Sequence, residues 1–220
     1  MATATYFAVT VDLYDWELEI TRWMQGFSLG PARFLSGWVL WMGVKGAAGA
    51  VLLLVVAVFW FRHHRLEAVA LVLISIPDML NLLLREVMAR PRPTTDLVDV
   101  MRGPQGFSFP SGTTLHMLLF YGFLMYLANR LIPSRPLVRT IWALGGLYIL
   151  MSGIWVIYEG RHWFIDAVGG YLFGSVYLLV LVLSFRWAEG WIKTEGALRL
   201  SDRAPRFLGK PLGYALRRIA

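Results

Sequence analysis

The chain has no cysteine among its 220 residues, so neither disulfides nor thiolate metal sites can hold it together, and thiols say nothing about its redox compartment. It also has little charge. Asp, Glu, Lys and Arg make up 16% of the sequence against 57% hydrophobic residues, and the mean hydropathy of +0.57 exceeds what a soluble core of this size hides. A membrane protein is the expected class. No internal repeat or low-complexity segment stands out, which fits one compact unit. Acidic residues are the scarcer sign, 14 against 21 basic, giving a net charge of +7. The basic residues sit in short clusters between apolar runs and in the tail after Arg186, so they read as anchors beside anionic lipid and not as a nucleic-acid surface. A cleavable-signal layout is missing as well, because the apolar stretch from Tyr6 to Val11 is short and no basic residue precedes it. The mature chain is expected to begin near Met1.

Five apolar runs are long enough to cross about 30 Å of hydrocarbon: Phe34 to Phe61, Leu66 to Leu84, Ser111 to Ala128, Ile141 to Ile157 and Phe164 to Phe185. Each is expected to be a helix, since a span must satisfy its own backbone hydrogen bonds. The fold class is therefore an all-α transmembrane bundle of about five spans. Before them, Trp16, Ile20, Trp23, Met24 and Phe27 share one helical face and Asp15, Glu19 and Arg22 the other. That pattern fits an amphipathic helix lying in the interface, and equally one packed on the bundle. The division expected is residues 1–30 as this segment, 31–188 as the membrane domain and 189–220 as a basic tail.

With five spans, Arg62, Arg65, Arg130, Arg135, Arg139 and the basic residues of the tail fall on one side. Arg22, Arg33, Arg85, Arg90, Arg92, Arg102 and Arg161 fall on the other. The richer side is expected to be cytoplasmic, with the C-terminus inside and the N-terminus outside.

Three polar clusters interrupt the apolar sequence and, by the span count, all emerge on the poorer side. The first, closing span two, runs from Arg85 through Arg90-Pro91-Arg92-Pro93. Arg85 and Arg92 are seven apart, so a continuing helix would put two permanently charged forks on one face for a single anion. Taken alone they read more simply as headgroup anchors at a helix end. The second cluster, Phe109-Pro110-Ser111-Gly112-Thr113, looks like a helix start, with Ser111 as cap and Gly112 allowing a ligand close to free N–H groups. A plain cap would use the same residues. The third holds His162 and Asp166, four apart on the expected first turn of span five, where the carboxylate can hold one ring nitrogen and free the other. Such a pair also serves as an ordinary structural hydrogen bond. Zinc fits poorly, since two ligands lack their third and fourth partners.

In order and spacing these clusters resemble the type 2 phosphatidic acid phosphatase and haloperoxidase superfamily, whose pattern is Lys-x6-Arg-Pro, Pro-Ser-Gly-His and Ser-Arg-x5-His-x3-Asp. Here Arg85-x6-Arg92-Pro93, Pro110-Ser111-Gly112-Thr113 and His162-x3-Asp166 take those places, and the match spans roughly Asp78 to Gly174. The resemblance implies that His162 is the nucleophile that accepts a phosphoryl group and Asp166 its orienting partner. It implies that Arg85, Arg92, Ser111 and the amide of Gly112 bind phosphate, that no metal or other cofactor is required, and that the substrate is a phosphorylated lipid. Soluble haloperoxidase function is set aside by the spans.

Two departures matter. Thr113 stands where the family has the histidine that protonates the leaving oxygen, and Trp155-Val156 stands where it has Ser-Arg. A general acid is typically worth about 10²- to 10⁴-fold. His116, three residues on along the same face, and Arg161, directly before His162, are the available substitutes, although His116 equally fits a core histidine bonded to a neighbouring helix and Arg161 an interfacial anchor; Thr113 itself is a further phosphate-binding candidate. A leaving group that needs no proton would ease the loss, and a leaving phosphate has a second pKa of about 6. A lipid diphosphate is therefore the substrate this pattern favours. The competing reading is a pseudophosphatase that binds phosphorylated lipid without turning it over. A transporter is disfavoured because no paired half-helices or repeats appear. Asp78, Asn81 and Arg85 lie at helical spacing, either as a polar stripe leading into the site or as an interhelical hydrogen-bond set.

Overall fold

The computed structural model describes residues 13–27, 45–101 and 105–203. Seven helices run through these residues: α1 (Asp15–Gln25), α2 (Lys45–Phe61), α3 (Arg65–Leu73), α4 (Ser75–Met88), α5 (Gly112–Leu131), α6 (Arg135–Tyr158) and α7 (Phe164–Arg203). There is no strand among the described residues. The portion of the first expected span from Phe34 to residue 44, Arg33, Arg102 and the tail beyond Arg203 lie outside them.

Three helical stretches are both long and apolar enough to cross a membrane: Arg65–Met88, Arg135–Tyr158 and Phe164–Thr194, with Ala47–Phe61 a shorter apolar helix. The first of these is broken between α3 and α4 for a local reason. Pro77 has no N–H to offer the carbonyl of Leu73, four residues back, so the ladder is interrupted around Ile74 although the chain keeps its direction. Helix α5 is 20 residues long but carries Thr113, Thr114, His116, Asn129 and Arg130. It can hold these because it is the most enclosed helix, with Leu115, Met117, Leu119, Phe120, Phe123 and Leu127 all buried. Lipid-facing apolar surface falls instead to residues such as Leu53, Leu54, Met79, Leu83, Leu144 and Leu179.

The main core joins Leu71 and Ile74 to Leu115, Leu119, Phe120, Phe123 and Leu127 of α5 and to Leu181 and Phe185 of α7, with Phe123 and Phe185 edge to face at 5.7 Å. Helices α6 and α7 are tied by a side chain inserted into a backbone ladder. The Tyr171 hydroxyl accepts from Gly153 N–H at 2.8 Å and donates to the Ile149 carbonyl at 2.7 Å, completing within α6 the link that a direct bond would make. Only glycine fits at position 153, since a Cβ would press into the tyrosine ring. Two compact units divide at Phe185, Met1–Phe185 and Arg186–Ala220. In the second, Lys193 pairs with Glu189 one turn away at 3.0 Å.

Helix α1 forms where the amphipathic pattern predicts it, but it buries a different face. Glu17 and Thr21 are fully buried and Met24 packs against Trp155, Val156 and Tyr158, while Trp16, Trp23 and Phe27 remain exposed. At 100° per residue Glu17, Thr21 and Met24 share a stripe beside the aromatic one. That stripe wins because Glu17 finds buried cationic and N–H partners that offset its desolvation.

Candidate active site

All three polar clusters arrive at one end of the bundle: the C-terminal ends of α4 and α6 and the N-terminal ends of α5 and α7. The expected shared helix face for Arg85 and Arg92 is not what joins them. Helix α4 stops at Met88, Ala89 turns left-handed at φ +49° with its N–H on the Arg85 carbonyl, and the Pro91 and Pro93 rings keep the following chain extended. Arg92 therefore reaches the site from a loop. His162 likewise precedes α7 instead of lying on its first turn. It sits in the tight connection after Tyr158, where Gly160 adopts φ +62° and the N–H groups of Arg161 and His162 both return to the Val156 carbonyl.

The loop before α5 is stitched down. Ser108 donates to the carbonyls of Arg90 and Pro91 at 3.1 Å each, Trp163 Nε1 donates to the Pro91 carbonyl at 3.2 Å, and Phe109 packs on Ile165. Ser111 N–H donates to the Asp166 carbonyl at 2.9 Å and Thr114 Oγ1 donates to the Ala167 carbonyl at 3.3 Å, so the starts of α5 and α7 lock together. Gly170 permits this, because a Cβ there would collide with Thr114 Oγ1 and the Ser111 carbonyl. Ser111 caps α5 as expected, accepting from Thr114 N–H at 3.5 Å. Arg85 Nε donates to the Pro110 carbonyl at 3.0 Å, and its guanidinium lies so near Gly112 that a Cβ there would sit 2.7 Å from Nη2.

At the centre, Arg92 Nη1 lies 3.2 Å from His162 Nε2 and donates to the Arg161 carbonyl at 2.6 Å, while Arg92 Nε donates to the Gly106 carbonyl at 2.9 Å. An arginine has only donors, so a bond from it makes Nε2 the lone-pair nitrogen and puts the ring proton on Nδ1. Nδ1 faces Asp166 Oδ2 at 3.5 Å, longer than a good hydrogen bond, and Oδ2 accepts from Trp163 N–H at 2.9 Å. Asp166 Oδ1 takes Arg90 Nη1 at 2.8 Å. Arg90 Nη2 in turn binds Glu17 Oε2 at 2.5 Å, and Glu17 Oε1 accepts from Ile165 N–H at 2.9 Å. Both ion pairs are fully shielded from solvent.

Burial drives the His162 ring down to about 3, with the Arg92 and Arg85 charges adding to this against the pull of Asp166. Burial also lowers the Arg92 guanidinium to about 10, helped by neighbouring Arg85 and Arg161. For Arg90, burial works against the charge, but the Asp166 and Glu17 carboxylates outweigh it and raise its proton affinity. A histidine depressed on folding binds fewer protons in the native state than in the unfolded chain below pH 6.5. Its contribution to stability is therefore intact above that pH and declines as pH falls toward 3, by at most about 1.4 kcal/mol per unit. We expect the thermal midpoint of the parent, relative to a His162→Gln variant, to fall as pH drops from 7 to 4. A difference that stays constant over that range would show that the ring titrates normally.

The remaining sequence candidates are placed as follows. Thr113 is buried on the first turn of α5. His116 lies one turn further along and faces α4, its Nδ1 2.7 Å from Asp78 Oδ2 and its ring stacked on Phe120. The α4 stripe is thus divided: Asp78 holds His116, Asn81 is buried against Gly112, and Arg85 holds Pro110. Val156, where the family has arginine, is fully buried among apolar neighbours, whereas Arg161 carries a charge felt by both Arg85 and Arg92. Two residues went unassigned in the sequence. Arg90 was visible only as part of the Pro-flanked motif, and Glu17 only as an acidic residue off the polar face of α1. Among the described residues no three His, Asp or Glu side chains converge to hold a metal ion.

The sequence pattern described as PAP2 superfamily matches residues 66–190 of this chain. The chain belongs to the PAP2 superfamily. Among curated relatives of this superfamily member, phosphatidylglycerophosphatase B of Bacillus subtilis is 27% identical over 145 residues, covering 64% of this chain and 70% of that protein. Lipid phosphate phosphatase delta of Arabidopsis thaliana is 26% identical over 129 residues, covering 54% of this chain but only 31% of the plant protein. Two crystal structures share the PAP2 fold seen here. The transmembrane PAP2 type phosphatidylglycerolphosphate phosphatase from Bacillus subtilis superposes with a TM-score of 0.58 at 20% identity, over 86% of this chain and 84% of that one. Aquifex aeolicus LpxE gives 0.62 at 22% identity, over 78% and 98%. The PAP2 assignment and the apolar helices together make this an integral membrane protein.

Proposed function

We propose that this protein removes a phosphoryl group from a membrane lipid phosphate through a phosphohistidine at His162, and that lipid diphosphates are its better substrates. The observation that carries this reading is the line Arg92–His162–Asp166, with a guanidinium 3.2 Å from the lone-pair nitrogen and a carboxylate behind the other ring nitrogen. A phosphoryl oxygen takes the place of Nε2 as the acceptor for Arg92, and Arg85, Arg161, Ser111 and the Gly112 amide complete the cradle. The Nε2 lone pair attacks phosphorus as the bond to the leaving oxygen breaks, and that oxygen leaves with the bonding pair. The ring becomes a phosphorylated imidazolium whose Nδ1–H is held by Asp166. Water then attacks phosphorus, the P–N bond breaks, the pair returns to Nε2, and inorganic phosphate departs with the water's oxygen.

The preference for diphosphates rests on position 113. Thr113 cannot protonate an alkoxide as a histidine would, and His116 is engaged by Asp78 one turn away. His116 is proposed as a relay that raises the rate on monophosphates without being required for diphosphates. The exposed apolar side chains of Val87 and Phe164, next to the motif residues on α4 and α7, suit a substrate whose chains stay in the bilayer, and the basic residues at the opposite bundle end favour an extracytoplasmic site. Detergent-purified protein is expected to release phosphate from a polyprenyl diphosphate at least 10-fold faster than from phosphatidic acid, in line with the typical worth of a missing general acid. Faster cleavage of phosphatidic acid would overturn the preference.

A second reading, a lipid-phosphate binder without turnover, is favoured by the fully buried Val156 at the family's arginine position. It requires that no substrate in a panel of lipid mono- and diphosphates be cleaved, and that Thr113→His create cleavage where the parent has none.

A further inference from the structure

We infer that Glu17 of helix α1 is a positioning residue for the phosphoryl-transfer site, acting through Arg90 on Asp166 and through Asp166 on the ring of His162. The inference rests on the phosphohistidine reading for its catalytic consequence, though not for its geometry. Glu17 touches the chain on both sides of the carboxylate that backs the histidine. One oxygen binds Arg90, which grips Asp166 Oδ1, and the other accepts from the N–H of Ile165, the residue before Asp166.

The division of the Arg90 fork explains what this does. A guanidinium facing one buried carboxylate closes on it with two parallel bonds. Here Glu17 occupies Nη2, so only Nη1 is left for Asp166, and only Oδ1 is taken. Oδ2 stays beside Nδ1 of His162, with the Trp163 N–H fixing its direction. Without the Glu17 charge, both prongs of Arg90 are free to close on Asp166 and draw Oδ2 off the ring. His162 then loses the partner that keeps its proton on Nδ1 and its lone pair on Nε2.

Helix α1 is built to hold Glu17 in place. Arg22 Nε donates to the Leu97 carbonyl at 3.0 Å. Gln25 Nε2 donates to the carbonyls of Asp99 at 2.7 Å and Tyr158 at 2.9 Å, while its Oε1 accepts from Asp99 N–H at 3.0 Å. These bonds clasp the helix to the loop after α4 and to the end of α6, the two segments that deliver Arg92 and His162. A helix that only covered the bundle would have no need to place a carboxylate, fully buried, on the far side of the catalytic ion pair.

The test uses the full chain in detergent, with ¹⁵N-histidine labelling, comparing the parent with Glu17→Gln and Thr21→Ala. Glu17→Gln is isosteric, keeps an oxygen for Ile165 N–H and removes the charge from Arg90. Thr21→Ala disturbs the same helix face one turn away. The His162 resonances are identified by their loss in His162→Ala, since the chain has four histidines. In the parent and in Thr21→Ala, the shifts are expected to report a single Nδ1–H tautomer, and kcat is expected to agree within about threefold. In Glu17→Gln, the tautomers are expected to mix, and kcat on a lipid diphosphate is expected to fall about 10- to 100-fold with KM changed by less than threefold. Should Glu17→Gln fail to purify folded, Glu17→Met, of similar length and likewise without charge, is judged by the same two readouts. Unchanged imidazole shifts, or an unchanged kcat, in the glutamate variant overturns the positioning role. A parent without turnover defeats the phosphatase reading alone, because the tautomer shift then still decides whether Glu17 positions His162.

Discussion

His162→Ala is expected to lower phosphate release from a lipid diphosphate by on the order of 10³-fold or more, because it removes the atom that forms the covalent bond and not merely a contact that tightens binding. Binding of unreacted lipid should persist in that variant. Arg85, Arg92 and the start of α5 are held by the backbone carbonyls of Pro110, Gly106 and Arg161 and by the Asp166 carbonyl, none of which needs the imidazole. The measurement is initial phosphate release at saturating lipid for parent and variant, with lipid affinity measured separately. A variant retaining more than about a tenth of the parent rate would mean that another group carries the phosphoryl, or that water attacks directly.

Arg90→Ala is expected to destabilise the folded protein by about 3–5 kcal/mol, the usual consequence of removing one partner from a buried ion pair. The reason is specific to this site. Glu17 and Asp166 are both fully buried, and Arg90 is the single side chain that answers both. Without it, two carboxylates remain in a dry region with the N–H groups of Ile165 and Trp163 and the uncharged His162 ring 3.5 Å from Asp166 as partners. The midpoint of thermal unfolding in detergent should drop, and adding Glu17→Gln to the variant should recover part of the loss by removing one of the stranded charges. No recovery in the double variant would mean that the loss came from packing around the Arg90 side chain.

The contrast between these residues shows what was legible in the sequence. His162, Asp166, Arg92, Arg85 and Ser111 carry motif spacing, and their convergence at one bundle end follows from helices long enough to cross a bilayer. Whether a helix or a loop delivers each one was harder to see, because it turns on local chemistry. Pro91 and Pro93 move Arg92 off α4, and Gly160 places His162 ahead of α7. Helix α1 was legible as a helix, but hydrophobic periodicity left its aromatic face equally suited to the lipid interface and to the bundle. Periodicity measures apolar burial, and a membrane protein has two apolar destinations, its core and its lipid. Trp16, Trp23 and Phe27 took the outward one, and a glutamate took the inward one since its partner was Arg90, 73 residues away. Nothing local in a sequence signals such a pairing. The His116–Asp78 pair was legible in kind, since a bond to a neighbouring helix was one reading of His116 and an interhelical set one reading of Asp78, but which two residues meet between α4 and α5 was not.

The most direct measurement is rapid mixing of the detergent-purified protein with a lipid diphosphate labelled with ³²P in its terminal phosphoryl group, followed by an alkaline quench and recovery of the protein. Label bound to the chain, stable to base, released by acid and missing from His162→Ala is the expected outcome. Label that survives acid and maps to Ser111 or Thr113, or steady turnover with no protein-bound label on any timescale shorter than one catalytic cycle, would rule out His162 as the group that takes the phosphoryl.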